Sequence, residues 1–539
     1  MARFILCAIA VLSLFSCGKN DQTTSEMADG GKDPVEANFL EFELNEITVE
    51  EINSAYENGN YTAVDVVELY ISRINALNKE GPHLNAVISI NPDALKIAAD
   101  LDAERATSGA RGPLHGVPVL LKDNIDTMDH MPTTAGSIAL LENYAAKDAP
   151  MVESLRAAGA IILGKTNLSE WANFRSSNSS SGWSGVGGQT RNPYLLTANT
   201  CGSSSGSGAA AAANLATLTI GTETDGSVVC PSAYNGVVGI KPTVGLVSRT
   251  GIIPIAATQD TAGPMTRTVA DAAYLLTEMV SKNPEDPATM DQPEPAVNYA
   301  NYLKIDGLSG KRIGVIRSPF NMHNDLGPIF DSSIEAMKKR GAVIIDDLEF
   351  SSREGIGNAE GVVLNYEFKH YLNAYLSNAP EAVKTRTLSD LIKFNEEHAD
   401  QEMPYFGQEV FLESEETGSL TDAEYLKAVE DSNIAMQKVI DALMDEYDLD
   451  LIVMPSRNPA NSQDLINGDH PSGGVTSSYA AVSGYPSITV PMGYIHGLPV
   501  SLSFVGRAYS EALMIEASYS FEQATKAREK PKFIEYVYR

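Results

Sequence analysis

Positive charge is what this sequence most lacks. Its 39 Lys+Arg stand against 70 Asp+Glu, leaving a formal charge of −31 over 539 residues. So acidic a surface repels phosphate backbones, and no nucleic-acid partner is expected. Histidine is sparse as well. The 8 present show no HExxH or comparable ligand spacing, so neither a metal site nor a bound cofactor is expected. With 43% hydrophobic and 20% charged residues, the composition excludes wholesale disorder and a polytopic membrane protein. The length would accommodate three or four domains at roughly 150 residues each, although α/β folds often exceed that size as one unit.

Only 4 cysteines occur, at positions 7, 17, 201 and 230. The first two lie in the N-terminal stretch MARFILCAIAVLSLFSC, where Arg3 precedes about a dozen apolar residues, too few to span a bilayer. This pattern predicts an export signal over residues 1–16. Its end, Leu14-Phe15-Ser16-Cys17, resembles the lipobox of bacterial lipoproteins. The resemblance makes Cys17 a lipidation site and anchors the chain to a membrane, facing the periplasm or the cell exterior. Residues 17–38 are polar and suit a flexible tether. Cys201 and Cys230 remain for the folded part. A disulfide between them is conceivable, but both flank a serine-rich centre, and packing there is the expected role.

In the body, Thr48 to Lys79 reads as helical: Thr48 and Glu51 form a capping box, and VDVVELYISRI repeats apolar residues at helical spacing. Val117 to Leu121, Ala160 to Leu163, Ile313 to Ile316 and Val343 to Ile345 read as buried strands. Amphipathic helices over Met151 to Ala158 and Asp331 to Arg340 lead into two of them. Such alternation predicts α/β layers. Residues 283–298 carry four prolines and read as a loop, and residues 401–450, with 14 acidic and 2 basic residues on a helical pattern, read as a solvated acidic face.

Two short motifs are decoys. Gly159 to Thr166 (GAIILGKT) satisfies the P-loop expression, but a phosphate cradle needs a flexible loop, and Ala-Ile-Ile-Leu belongs inside a strand. Gly202-Ser203-Ser204-Ser205-Gly206 satisfies the nucleophile-elbow expression, yet the segment before it, RNPYLLTANTC, makes a poor strand.

The chemistry concentrates in Cys201 to Lys241, CGSSSGSGAAAAANLATLTIGTETDGSVVCPSAYNGVVGIK. A Ser/Gly loop opens onto Ala209 to Ala213, which lets a helix pack closely, and a second Gly-rich turn carries Ser227. Glycines beside a serine allow backbone N–H groups to converge on one point, as an oxyanion hole requires. The segment resembles the amidase signature family, whose members use a Ser, cis-Ser, Lys triad. GVPVLLKDNIDT (residues 116–127), GSSSGSG and GTETDGSVVCP follow one another in family order, as do IPIAATQDTAGPMTRTVADAA (253–273) and GYPSITVPMG (484–493). The variants WANFRSS, GWSGVGGQTRNPY, CGSSSGSG and GTETDGS look closest to the bacterial peptide amidase branch. Cys201 stands where many members have Gly, and Asp225 where many have a second Gly.

The resemblance implies a three-layer α/β/α fold with a central mixed β-sheet covered by helices, residues 39–539 forming a single amidase domain in which 352–440 is helical and substrate-side. It makes Ser227 the nucleophile, Ser203 the cis-serine and Lys122 the base, and the family's spacing of 24 between its serines is met. Backbone N–H groups of Thr224, Asp225, Gly226 and Ser227 would form the oxyanion hole, leaving the Asp225 side chain in need of another partner. Lysine serves as a base only when neutral, and the apolar run GVPVLL before Lys122 would supply the desolvation. The expected activity is hydrolysis of a carboxamide with release of ammonia, on peptide C-terminal amides or related primary amides. Two alternatives share the fold: the glutaminase subunit of a tRNA-dependent amidotransferase, and a catalytically silent ligand-binding lipoprotein.

Overall fold

The computed structural model describes residues 42–294, 296–317, 321–351, 354–470, 473 and 476–536. The expected export signal, tether and lipidation site at Cys17 lie outside the described residues.

Thirteen strands are described: β1 Val87–Ile90, β2 Pro118–Lys122, β3 Ile161–Thr166, β4 Trp183–Ser184, β5 Gly188–Gln189, β6 Leu218–Glu223, β7 Val238–Lys241, β8 Thr261–Thr266, β9 Arg312–Ile316, β10 Val343–Leu348, β11 Leu451–Pro455, β12 Ser487–Ile495 and β13 Leu498–Val505. Except for the small β4–β5 ladder they form one sheet in the order β1-β3-β2-β6-β8-β7-β12-β13-β11-β9-β10. The sheet is mixed. β3, β2 and β6 run parallel, as do β10, β9 and β11, while β8, β7, β12 and β13 pair antiparallel between them. Parallel neighbours need crossovers, and helices supply them. Pro150–Ala157 links β2 to β3, Ser205–Ala212 links β3 to β6, and Leu326–Lys339 links β9 to β10. Helices flank the sheet as expected for α/β layers, and β2, β3, β6, β7 and β8 are buried along their whole length.

Two local readings change. Thr48 to Lys79 is not one helix but Val49–Glu57, Ala63–Ile74 and a closing turn Asn75–Lys79. Gly59 takes a left-handed φ of +70°, and Thr62 begins a second capping box, accepting from the Asp65 N–H at 3.1 Å while Asp65 Oδ2 accepts from the Thr62 N–H at 2.7 Å. The proline-rich loop is also more ordered than expected. It carries the short helix Pro287–Asp291 and is pinned by the Arg249–Asp286 ion pair.

The P-loop decoy sits in β3, where Lys165 Nζ is buried and donates to Ile125 O at 2.5 Å and Thr133 Oγ1 at 3.0 Å, far from any phosphate-binding posture. Ser204, the centre of the elbow decoy, is equally committed: its Oγ donates to Thr222 O at 3.0 Å and accepts from the Thr222 N–H at 3.1 Å. Between β10 and β11 lie the helices Ile356–Ser377, Leu388–Glu397, Ala399–Glu402, Glu409–Glu415, Ala423–Val429 and Ala435–Glu446. Over 401–450 their acids are exposed or half-buried as expected of a solvated face, with the exception of Glu402, which is buried, as is Glu367 of the first of these helices. Phe368, Leu372 and Phe411 of these helices join Trp171 and Ile253 in one apolar cluster that docks the helices against the loops after β3 and before β8.

Candidate active site

Two parallel strands aim the first side chain. β2 ends at Lys122 and lies beside β6, so the Lys122 amine meets the end of β6, where Nζ is 2.9 Å from Thr222 Oγ1 and 3.1 Å from Thr222 O. Asn124, two residues on, also reaches this threonine, donating from Nδ2 to Thr222 Oγ1 at 3.0 Å. Lys122 Nζ lies 2.7 Å from Ser203 Oγ. Ser203 occupies the loop that opens helix Ser205–Ala212, the Gly202–Ser203 peptide is cis, and Ser203 O accepts from the Ser169 N–H at 3.0 Å. The lysine is wholly shielded from solvent. Burial pulls its pKa down to about 7, against the opposing pull of the Asp260 and Glu223 carboxylates.

Ser227 follows β6 on the turn 224–227 before helix Val229–Tyr234. This turn is clamped at each residue. Glu223 Oε2 accepts from the Val228 and Val229 N–H groups at 2.7 and 2.9 Å. Thr224 Oγ1 donates to Asp260 Oδ1 at 2.5 Å, and Thr224 O accepts from Gln259 Nε2 at 3.2 Å. Asp260 in turn accepts from the Ile255 and Ala256 N–H groups at 2.8 and 2.9 Å, and burial raises its pKa to about 6. Asp225 finds its partner in two hydroxyls, with Ser477 Oγ donating at 2.7 Å and Ser478 Oγ at 2.5 Å. Gly226 has φ +79°, and a Cβ there would come within 2.9 Å of Ser477 Oγ, so the turn admits no side chain at this point. Among the described residues, the N–H groups of Asp225, Gly226 and Ser227 donate to no protein acceptor.

The structure thus brings the expected residues together in two steps. Lys122 and Ser203 touch directly, and the Ser227 turn joins them through the Ser204 N–H, which donates to Ser227 O at 3.1 Å. Sequence reasoning missed Asn124, Thr222, Gln259, Asp260, Ser477 and Ser478. Asn124 stands in the KDN run, and Gln259-Asp260 stand in a block that resembles the family, so both had a signal; Ser477-Ser478 match no motif.

The packing role expected of Cys201 and Cys230 is corrected: they form a disulfide, with their Cα atoms 5.8 Å apart. Their separation of 29 residues is silent on this geometry. The chain passes through helix Ser205–Ala212 and returns along β6, which lays the two serine segments side by side. A pocket of about 250 Å³ lined in part by Ile252, Pro254, Asp260, Tyr371 and Tyr375 opens next to this assembly.

Comparison with known proteins agrees with this geometry. The sequence profile of the family described as Amidase matches residues 65–515. The protein named "Probable amidase" of Arabidopsis thaliana is 44% identical over 505 residues, covering 92% of this chain and 93% of the relative. A glutamyl-tRNA(Gln) amidotransferase subunit of Thermoanaerobacter pseudethanolicus is 32% identical over 512 residues, covering 91% and 99%. The solved structure of native peptide amidase from Stenotrophomonas maltophilia superposes with a TM-score of 0.87 at 46% identity, covering 92% of this chain and 100% of that one. A buried lysine against a serine at the end of parallel strands, and matches spanning nearly the whole body, place this chain in the amidase signature family of amide hydrolases.

Proposed function

We propose that this enzyme hydrolyses the C-terminal carboxamide of peptides, or related primary amides, through an acyl-enzyme on Ser227. The observation that carries the reading is the buried Lys122 amine 2.7 Å from Ser203 Oγ. With a pKa of about 7 the amine is neutral in a large fraction at neutral pH. A neutral amine has two hydrogens, and Thr222 O and Oγ1 take both, which turns its lone pair toward the Ser203 hydroxyl.

Ser203 passes its proton to Lys122 and takes the proton of Ser227, whose Oγ attacks the amide carbon. The N–H groups of Thr224, Asp225, Gly226 and Ser227 receive the developing oxyanion, a term worth about 3–4 kcal/mol per donor in other acyl-transfer enzymes. The proton returns through Ser203 to the departing ammonia, and water then releases the acid. Likeness to peptide amidase, at higher identity than to the amidotransferase subunit, favours the peptide-amide reading over the glutaminase one. Residues 39–539 act as one amidase body, with 352–440 on the substrate side. Support comes from Tyr371 and Tyr375 of that region, which wall the pocket ending on Asp260.

Ammonia release from a panel of peptide, aryl and aliphatic amides tests this reading. Ser227→Ala is expected to abolish turnover of peptide amides with the fold intact; unchanged turnover, or activity on glutamine alone, would reverse it. The same reading places the enzyme outside the cytosol on a lipid at Cys17. Membrane partition that survives Cys17→Ser would remove that part.

A further inference from the structure

The Cys201–Cys230 bond joins the residue two before Ser203 to the residue three after Ser227. Beyond the main chain itself, it is the covalent cross-link between the two serine segments. We propose that this disulfide is a positioning element of the catalytic site, holding the Ser203 loop and the Ser227 turn in register so that full activity requires the oxidised chain. The inference rests on the serine roles proposed above.

Near the serines themselves the other ties between the segments run through Ser204, whose N–H donates to Ser227 O at 3.1 Å and whose Oγ donates to Thr222 O at 3.0 Å and accepts from the Thr222 N–H at 3.1 Å. The remaining ties lie away from the reacting hydroxyls. Asn235 Nδ2 donates to Thr200 O at 3.0 Å, and Asn192 Nδ2 donates to Asn199 O at 3.1 Å and Tyr234 O at 3.0 Å. Loss of the disulfide therefore leaves the Ser203 loop held to the end of β6 and the segments packed at their outer ends, with one backbone hydrogen bond to keep the Ser227 turn against that loop where the proton must pass between hydroxyls. Transfer and attack fall steeply with misplacement, and an error of about 1 Å costs on the order of a hundredfold in rate. Lys122 lies on β2 and Thr222 on the neighbouring β6, both inside the sheet, so the amine keeps its burial and two of its three partner contacts when the bond is lost.

The bond's surroundings say how it is used. Cys201 is 8% and Cys230 1% exposed, and both pack against Tyr234 and Ala460. A dissolved thiol reaches such a bond poorly, so it is set once during maturation and is no toggle. Its formation is thiol–disulfide exchange. The thiolate of one cysteine attacks a sulfur of a donor disulfide, one donor thiolate leaves, and the second cysteine thiolate displaces the other; the two donor thiolates take up the two protons the cysteines gave up, so the donor ends as a dithiol. The cytosol opposes this exchange and an oxidising compartment favours it, so synthesis without export would yield a folded protein of low activity.

The test compares the full chain, purified oxidised, with the double variant Cys201→Ala/Cys230→Ala in ammonia release from a neutral peptide amide. Expected are a fall in kcat of about ten- to a hundredfold, KM within twofold, and an acid limb near pH 7 that stays in place, since Lys122 keeps its environment. A folded double variant with kcat within twofold of the parent would overturn the proposal. Should the double variant fail to fold, the full chain synthesised without export replaces it, its free thiols counted after unfolding, and is compared with the oxidised chain. A kcat at least tenfold below that of the oxidised chain supports positioning, and a reduced chain with kcat within twofold of it, or one that does not fold at all, overturns it. If the oxidised chain releases no ammonia from any amide, the substrate reading has failed, and the rate of Ser227 labelling by a fluorophosphonate replaces turnover. Labelling that slows on loss of the disulfide upholds the positioning role, and labelling that does not slow, or is absent from the oxidised chain, overturns it.

Discussion

The amine of Lys122 lies 2.7 Å from the hydroxyl of Ser203 with no solvent access to either group. A lysine so placed is held closer to its neutral form than water would hold it, and that is the property a base needs.

The pH dependence follows from the direction of this shift. Activity is expected to rise with pH through about 7 as Lys122 loses its proton, and the acid limb should vanish with Lys122→Met, whose kcat should fall by roughly 10²–10⁴. Stability carries the same sign. A lysine whose folded pKa is depressed favours the neutral state, so its contribution is full above the unfolded value near 10.5 and is lost as pH falls through about 7. Lys122→Met should therefore flatten the loss of thermal stability on acidification. A kcat profile flat from about pH 6 to 9 in the parent enzyme would sink the assignment of Lys122 as base.

The clamps on the 224–227 turn should matter for rate more than for binding. Asp260→Asn keeps the size of the side chain but exchanges one of its acceptor oxygens for a donor, weakening the hold on Thr224 Oγ1 and on the Ile255 and Ala256 N–H groups. Gly226→Ala forces a side chain into a left-handed backbone, at about 1–2 kcal/mol, and against Ser477 Oγ. Each is expected to lower kcat by about ten- to a hundredfold with little change in KM, since donors aimed at the oxyanion act in the transition state. Steady-state kinetics on one peptide amide decides it, and a change confined to KM would show that the turn serves substrate binding.

The parts of this fold that were legible in the sequence are those dictated by neighbours along the chain. β2 and β3 are buried on both faces, so they read as apolar runs, and the start of the first helix was marked by its capping box. β8, TAGPMT, was not legible as a strand, because Gly263 and Pro264 read as a turn. A Cβ on Gly263 would collide with Ile240 O, so the glycine there permits a close strand approach that only the tertiary partner explains. At the site, Lys122, Ser203 and Ser227 are legible because the ordered motifs around them resemble those of the amidase signature family. The groups that hold them do not. Asp225 meets Ser477 and Ser478 across more than 250 residues, and Cys201 meets Cys230 around a helix and a strand. Such pairings are set by topology, which local pattern does not carry.

Asp225 stands directly in the proposed oxyanion turn, and its carboxylate is held by hydroxyls, with no ion-pair partner among the described residues. A unit charge about 8 Å from a substrate charge at a partly buried site is worth roughly 1–2 kcal/mol. Peptide amides with a basic residue at the amidated position should accordingly show kcat/KM about tenfold above those with a neutral one and on the order of a hundredfold above those with an acidic one, the ratio shrinking in high salt and in Asp225→Asn. The ratio is the informative quantity, because the variant also touches the turn. Equal kcat/KM for acidic and basic substrates at low salt would remove Asp225 as a source of selectivity.

Glu402 is the one buried acid of an otherwise exposed acidic stretch, and it faces Glu170. Glu170 pairs with Arg175 at 2.9 Å and accepts from the Gly185 N–H at 2.7 Å, while Glu402 Oε1 accepts from Ser137 Oγ at 2.8 Å and the Ile138 N–H at 2.7 Å. Two buried carboxyls beside one guanidinium cannot both ionise cheaply, and burial, then the Glu402 charge, pushes the Glu170 pKa well above the usual carboxylate range. A raised carboxyl pKa stabilises the fold at low pH, and that contribution drains away as pH rises from about 4.5 toward the folded value. Glu402→Gln keeps the acceptor oxygen for Ser137 and Ile138 and turns an amide donor toward Glu170, so its thermal midpoint should exceed the parent's at about pH 8–9 and vary less with pH. Glu170→Gln, by contrast, removes the charge that pairs with Arg175 once Glu170 ionises, so it should destabilise at alkaline pH, where Glu402→Gln stabilises. Because this contact fastens the helices after β10 to the loops around Trp183, the same Glu402→Gln variant should also retain activity at alkaline pH for longer than the parent does. Thermal melts across pH separate the two variants, and a Glu402→Gln protein that melts lower than the parent with an unchanged pH slope would show that the two carboxyls do not share a proton.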